Sequence, residues 1–194
     1  MTVARQGHLV IVSGPSGVGK TTVAEKLVES GTVERVVTAT TRTPRQHERH
    51  GVDYYFLTRQ EFQSKIENNE FLEFAEVHRN LYGTPRESVE RGLAEGKRLL
   101  LTIDVEGARQ IRDQARDLPL LTIFLLPPSQ AELDHRLESR GSETEAEVRT
   151  RQETARKELG EQGAYDYQVV NDDLGLAVEE ILDLVVETPQ NGLK

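Results

Sequence analysis

The octapeptide Gly14-Pro15-Ser16-Gly17-Val18-Gly19-Lys20-Thr21 constrains this chain more than any other stretch. It matches G-x-x-x-x-G-K-[ST] in full, directly after an apolar run at 8–12 and directly before helix-forming residues at 21–30. Strand, tight loop and helix in that order make a βα unit, the context this motif needs. Glycines let backbone N–H groups converge on phosphate oxygens with no Cβ in the way, and the helix N-terminus adds partial positive charge. The spacing puts Lys20 on the β and γ phosphates of a nucleoside triphosphate and the Thr21 hydroxyl on Mg²⁺, with Thr22 next in the same triphosphate-binding run.

Further apolar runs at 98–103, 120–126 and 166–170 lack clean alternation, as parallel strands buried on both faces do, and helical patterns follow each. The helices are expected at 105–115, 130–139 and 174–187. Ser129 with Glu132, and Thr58 with Glu61, each offer the Ser/Thr-x-x-Glu box that satisfies the free N–H groups of a helix start. The fold class is therefore α/β, a P-loop NTPase-type parallel sheet flanked by helices.

At 194 residues the chain suits one compact core with excursions. Its net charge of −9 argues against nonspecific nucleic-acid binding, while a local basic pocket for a small phosphorylated ligand remains compatible with it. With no cysteine there is neither a disulfide framework nor a thiolate metal site. The apolar runs are strand-sized and far below a bilayer span, so no membrane partner and a cytoplasmic location are expected.

Two segments depart from the core pattern. Residues 34–95 carry a Thr/Arg-rich stretch, a Tyr-Tyr-Phe strand, a helix and an acidic-apolar segment, and are expected as a small β-rich insert, the core being 1–33 and 96–194. Residues 140–162 are highly charged with little apolar content, which suits a mobile helical lid. In the insert, Thr38-Ala39-Thr40-Thr41-Arg42-Thr43-Pro44-Arg45 reads either as a solvated basic loop or as a phosphate site, since an arginine fork fits phosphate bidentately. Spacing alone leaves Glu73 as an outward-facing strand residue, and Asp104 as either a helix N-cap or a ligand at a strand end.

The T-T-R-x-P-R stretch, Gly51-Val52-Asp53-Tyr54, Asn69-Glu70-Phe71-Leu72-Glu73 and Tyr82-Gly83-Thr84 resemble, in order and spacing, the acceptor-binding segment of guanylate kinases. The similarity runs on through Ile103-Asp104-Val105-Glu106-Gly107, Arg136-Leu137, Arg140-Gly141, Arg151 and Tyr165-Asp166-Tyr167-Gln168-Val169-Val170-Asn171-Asp172. This resemblance implies transfer of the γ-phosphate of ATP to GMP with Mg²⁺. It implies that Arg42, Arg45, Tyr54 and Tyr82 hold the GMP phosphate, and that Thr38, Glu73, Thr84 and Asp104 read guanine. It further implies that Arg136, Arg140 and Arg151 close with Lys20 on the triphosphate, that Thr21 and Asp104 hold the metal, and that Asn171 and Asp172 line the adenine site. The chemistry of Glu73 agrees, because one ionised carboxylate accepts both the N1–H and the N2 amine of guanine, whereas adenine turns an acceptor toward it.

Two departures stand out. Thr102 replaces an acidic residue common in the family, removing a carboxylate near the metal, and Gln46-His47-Glu48-Arg49-His50 replaces a Pro-Gly-Glu-type turn. His47, His50 and His78 lack the ligand spacing of a zinc site. A same-fold kinase of a phosphorylated sugar would have less use for Tyr54, Glu73 and Thr84, and a phosphopeptide-binding scaffold of this fold would not need Lys20, Thr21 and the lid arginines. The sequence leaves a homo-oligomer open.

Overall fold

The computed structural model describes residues 7–77, 79–138 and 145–188. In chain order these form β1 (His8–Ser13), α1 (Lys20–Glu29), β2 (Glu34–Arg35), β3 (Thr38–Thr40), β4 (Tyr54–Phe56), α2 (Arg59–Glu67), β5 (Phe71–Val77), β6 (Asn80–Pro85), α3 (Arg86–Ala94), β7 (Arg98–Thr102), α4 (Val105–Gln114), β8 (Leu120–Leu126), α5 (Gln130–Glu138), α6 (Glu145–Leu159), a 3-10 turn at Gln162–Ala164, β9 (Tyr167–Val170) and α7 (Leu174–Glu187).

The apolar runs become a five-stranded parallel sheet in the order β2-β7-β1-β8-β9. Their lack of alternation has the expected cause, since both faces of the sheet are covered. Leu9 and Ile11 of β1 pack with Leu99 and Leu101 under Val89 and Leu93 of α3 and Ala108 and Ile111 of α4. Val10 and Val12 point the other way, onto Val23 and Leu27 of α1 and Ala177, Ile181 and Val185 of α7. Strand 120–126 and helix 174–187 appear with the expected bounds, and the other expected core elements shift by a residue at one end or both. The expected end of α5 at Ser139 lies outside the described residues.

A second sheet, β4-β3-β6-β5, forms the β-rich segment. Its own small core holds Ala39, Phe62, Phe71 and Leu81, with the Phe62 and Phe71 rings stacked at 4.4 Å. The Thr58 capping box at the start of α2 closes in both directions. Ser129 accepts from the Glu132 N–H at 3.1 Å, but the Glu132 carboxylate turns to Arg136 instead of completing a box.

Parallel strands end on one edge, and that edge carries the loops that matter. The glycine-rich loop follows β1, Asp104 lies two residues past β7, and Asn171 follows β9. Asp166, just ahead of β9, is fastened to β8 by two bonds from Thr122, its N–H at 2.8 Å and its hydroxyl at 2.6 Å.

At the opposite end of β1, the His8 ring is fully buried beside Arg98, and among the described residues neither of its nitrogens finds a hydrogen-bond partner. Burial, reinforced by the Arg98 charge, lowers its pKa, so the folded protein keeps His8 neutral where the unfolded chain begins to protonate. Protons then favour the unfolded chain, and the His8 contribution to stability is lost as pH falls below about 6.5. Between pH 8 and pH 5.5 the urea midpoint of the wild type should therefore fall more than that of His8→Phe, by up to about 1 kcal/mol in unfolding free energy. Equal falls in the two proteins would show that His8 carries no such linkage.

Candidate active site

The phosphate loop takes its shape from β1 and α1. Gly19 caps α1 in the left-handed region at φ 100, and a Cβ there would collide with the Asn171 side chain. Asn171 sits so close because its amide donates to the Val18 carbonyl at 2.8 Å, clamping the loop from the end of β9. That side chain is thus engaged with the loop backbone, and Asp172 beside it is exposed. The Lys20 ammonium lies back along the loop, donating to the carbonyls of Gly14 at 2.6 Å and Pro15 at 2.9 Å. Thr21 and Thr22 open the exposed face of α1.

Across a cleft of about 410 Å³ stands the second sheet. Thr21 and Thr102 from the core line this cleft together with Thr38 and Tyr54 from the second sheet. A different cavity of about 550 Å³, bounded by Lys65, Phe71 and Arg91, contains none of the expected site residues.

Arg42 is held in place. Its guanidinium donates to Glu48 at 2.7 Å and to the Thr43 carbonyl at 2.8 Å, and lies 5.6 Å from the centre of the Tyr54 ring. Tyr82 completes the cluster, with its ring 6.2 Å from that of Tyr54. The Glu48 carboxylate also accepts from the Arg45 N–H at 2.7 Å, so one acid fixes both arginine positions, while the Arg45 side chain stays exposed. These bonds, the Arg42 one foremost, hold the Glu48 carboxyl below the usual carboxylate range. Sequence reasoning passed over Glu48, because it lies in an irregular turn without periodicity. In the same turn the His50 ring accepts from the Phe56 N–H at 3.2 Å, a structural bond.

Glu73 is not the outward-facing residue its spacing suggested. It is 6% exposed, accepts from the Thr84 hydroxyl at 2.6 Å, and shares its surroundings with Asp104. Burial pushes its carboxyl up to about 7, the Thr84 hydrogen bond opposes that rise, and the Asp104 charge adds to it. Asp104 caps α4, accepting from the Gly107 N–H at 2.7 Å, which realises the N-cap role. A Cβ on Gly107 would lie 3.1 Å from a Glu73 oxygen, so the glycine is what lets this acid approach the helix start. The Phe74 N–H donates to Gln110 of α4 at 3.2 Å and ties β5 to the core.

Of the arginines expected to close on the triphosphate, Arg136 lies on α5 and donates to Glu132 at 2.9 Å, Arg151 lies half-buried on α6, and Arg140 is outside the described residues. Glu158, near the end of α6, accepts from the Ser16 N–H of the phosphate loop at 3.3 Å. Nothing in the sequence singled it out, since its helix is dense in glutamates.

For a metal, the donors at hand are the Thr21 and Thr102 hydroxyls in the cleft and the Asp104 carboxylate. Among the described residues no group of three or more His, Asp or Glu could hold an ion alone. Hard oxygen donors, few in number, fit Mg²⁺, which keeps waters and is bound with substrate phosphates.

The glycine-rich loop between β1 and α1, at the carboxyl edge of a parallel sheet, defines a P-loop nucleotide-binding protein, and its second sheet adds an arginine-tyrosine cluster and a buried acid. The sequence pattern described as guanylate kinase matches residues 6–188, and the chain belongs to that family. It is 46% identical over 177 residues to a guanylate kinase of Clostridium perfringens strain SM101, covering 91% of this chain and 81% of that one. A guanylate kinase of Synechococcus sp. strain JA-3-3Ab is 45% identical over 190 residues, 97% of this chain and 86% of the relative. The crystal structure of guanylate kinase from Anaplasma phagocytophilum superposes with a TM-score of 0.75 at 33% identity, over 95% of this chain and 87% of that one.

Thr84 is the group that keeps the Glu73 carboxyl from rising further, which a Thr84→Val variant tests. The carboxyl-carbon titration of Glu73, followed by NMR, should then move above its wild-type midpoint near 7. A midpoint unchanged or lowered would mean that the 2.6 Å contact does not stabilise the ionised form.

Proposed function

We infer that this chain is a guanylate kinase, transferring the γ-phosphate of ATP to GMP to give ADP and GDP. The observation that carries the substrate assignment is the Glu73 carboxylate, buried on the second sheet next to Asp104 and the start of α4. Guanine offers two adjacent donors on its Watson–Crick edge, and a carboxylate with one oxygen already bonded to Thr84 retains lone pairs to accept both. Desolvation makes the choice sharp: a base unable to donate there leaves a buried charge unsatisfied.

We assign the remaining roles on the same basis. Arg42, Arg45, Tyr54 and Tyr82 hold the acceptor phosphate, with Arg42 preset by Glu48 so that little ordering is left to binding. Thr38, Thr84 and Asp104 join Glu73 at the base. The loop Gly14-Pro15-Ser16-Gly17-Val18-Gly19-Lys20-Thr21, with Thr22, cradles the ATP phosphates, while Asn171 and Asp172 border the adenine. Transfer then needs in-line approach of a GMP phosphate oxygen to the γ-phosphorus as the bond to the β–γ bridging oxygen breaks. Lys20, Arg136, Arg140 and Arg151 supply positive charge to the transferring group, and closure of the lid at 140–162 over the core, with the insert at 34–95, excludes water. Mg²⁺ with ATP would add charge neutralisation on the phosphates, and Thr21 and Asp104 are the residues to hold it. Among the described residues no helix is long and apolar enough to cross a membrane, and we propose that the enzyme works in the cytoplasm.

The experiment is a coupled assay of GDP formation from GMP and ATP between pH 6 and pH 8, with AMP, UMP and ribose 5-phosphate as controls. Only GMP should be phosphorylated efficiently. Glu73 must be ionised to accept from guanine, yet its carboxyl sits at about 7, so the KM for GMP should rise as pH falls below that value. The rise approaches tenfold per pH unit, and it is superimposed on titration of the GMP phosphate near about 6. Glu73→Gln should bind GMP more weakly at pH 8 and keep only the phosphate part of the pH dependence. Identical pH profiles for the two proteins would remove Glu73 from the base site.

A further inference from the structure

The base of the lid rests on the phosphate loop. Leu133 and Leu137 of α5 and Ala155 of α6 form a small buried cluster with Leu159 packed against it. Gly17 lies directly beneath, at φ 85, where a Cβ would come within 3.0 Å of the Leu137 side chain. Glu158 follows Ala155 by three residues, so the two share one helix face, and that face points at the loop. This packing delivers the half-buried Glu158 carboxylate to the Ser16 N–H at 3.3 Å. The Lys20 charge also acts on it, favourably, and the Asp104 charge acts unfavourably.

We propose that Glu158 is a positioning residue that latches the lid helix α6 to the phosphate loop by taking backbone and lysine interactions that a bound triphosphate also needs. A carboxylate and a polyphosphate are both anions, and one concave set of N–H groups cannot satisfy the two together. ATP therefore enters by displacing Glu158, and displacement frees the helix that carries Arg151 to rearrange. Because coupling between two binding events is reciprocal, the carboxylate that weakens ATP binding also returns to the loop as ADP leaves. Burial pushes the Glu158 carboxyl up, against the pull of the Ser16 N–H and Lys20, which fits an acid seated on the loop and not one extended into water.

The inference rests on the loop's binding ATP, and the test separates the two. Full-length wild type, Glu158→Gln and Glu158→Ala are titrated calorimetrically with MgATP, MgADP and GMP, and kcat and KM are measured for each. If the latched arrangement holds nine-tenths of the molecules, its loss tightens ATP about tenfold. The KM for ATP should fall while kcat stays level or drops through slower ADP release, and GMP affinity should not change. Tightening in Glu158→Ala alone would mean that the hydrogen bond carries the latch, since the Gln amide keeps an acceptor, and tightening in both would mean that the charge carries it. If neither variant binds ATP more tightly, or if both bind ATP and GMP more weakly together, Glu158 is not a latch. A wild type that forms no GDP would overturn the kinase reading, whereas active variants with unaltered ATP affinity would overturn the latch alone.

Discussion

Parallel pairing of β1, β7, β8 and β9 brings three loops to one edge of one sheet, and the site depends on that constraint. An antiparallel neighbour would send its following loop to the far side. Here the loop after β1, Asp104 after β7 and Asn171 after β9 share that edge, and Asn171 clamps Val18 from two strands away. The core side chains on both faces hold the strands in that register, so packing far from any ligand determines where the phosphate loop and α4 begin.

Against this rigid edge the second sheet sets an acid out of reach of solvent. Keeping Glu73 buried opposes ionisation, and the Thr84 hydrogen bond only partly offsets that. The strain is useful because a partner with two donors relieves it and a partner without them cannot. Arg42 follows the opposite logic, since Glu48 and the Tyr54 ring stabilise its guanidinium before any phosphate arrives. One group is held short of partners and the other is held ready, and in the proposed function the two select the base and the phosphate respectively.

What could be read in the sequence follows from how local each signal is. The phosphate loop was legible because its residues are contiguous and each glycine answers a backbone need. The buried strands were legible because coverage on both faces leaves an unbroken apolar run, as in 120–126. Glu73 could not be placed from spacing, since the register shifts between Phe71 and Glu73 and Phe71, Leu72 and Glu73 are all buried in succession. Family resemblance, not periodicity, pointed to a role for it at the base. Glu48 and Glu158 escaped notice for a different reason: each acts through a partner far along the chain or in an irregular turn, and a carboxylate among many carries no pattern.

In the proposed function a buried carboxylate selects the acceptor by counting donors on its base. The most direct measurement compares kcat/KM for GMP, IMP and AMP at pH 8, where Glu73 is ionised in the free enzyme. IMP keeps the N1–H but lacks the exocyclic amine, so it should be poorer than GMP by about ten- to a hundredfold for one lost bond to a buried charge. AMP, which turns an acceptor toward the carboxylate, should be poorer still, by about ten-thousandfold or more. Equal use of IMP and GMP would contradict the account, because it would mean that the carboxylate does not meet the base.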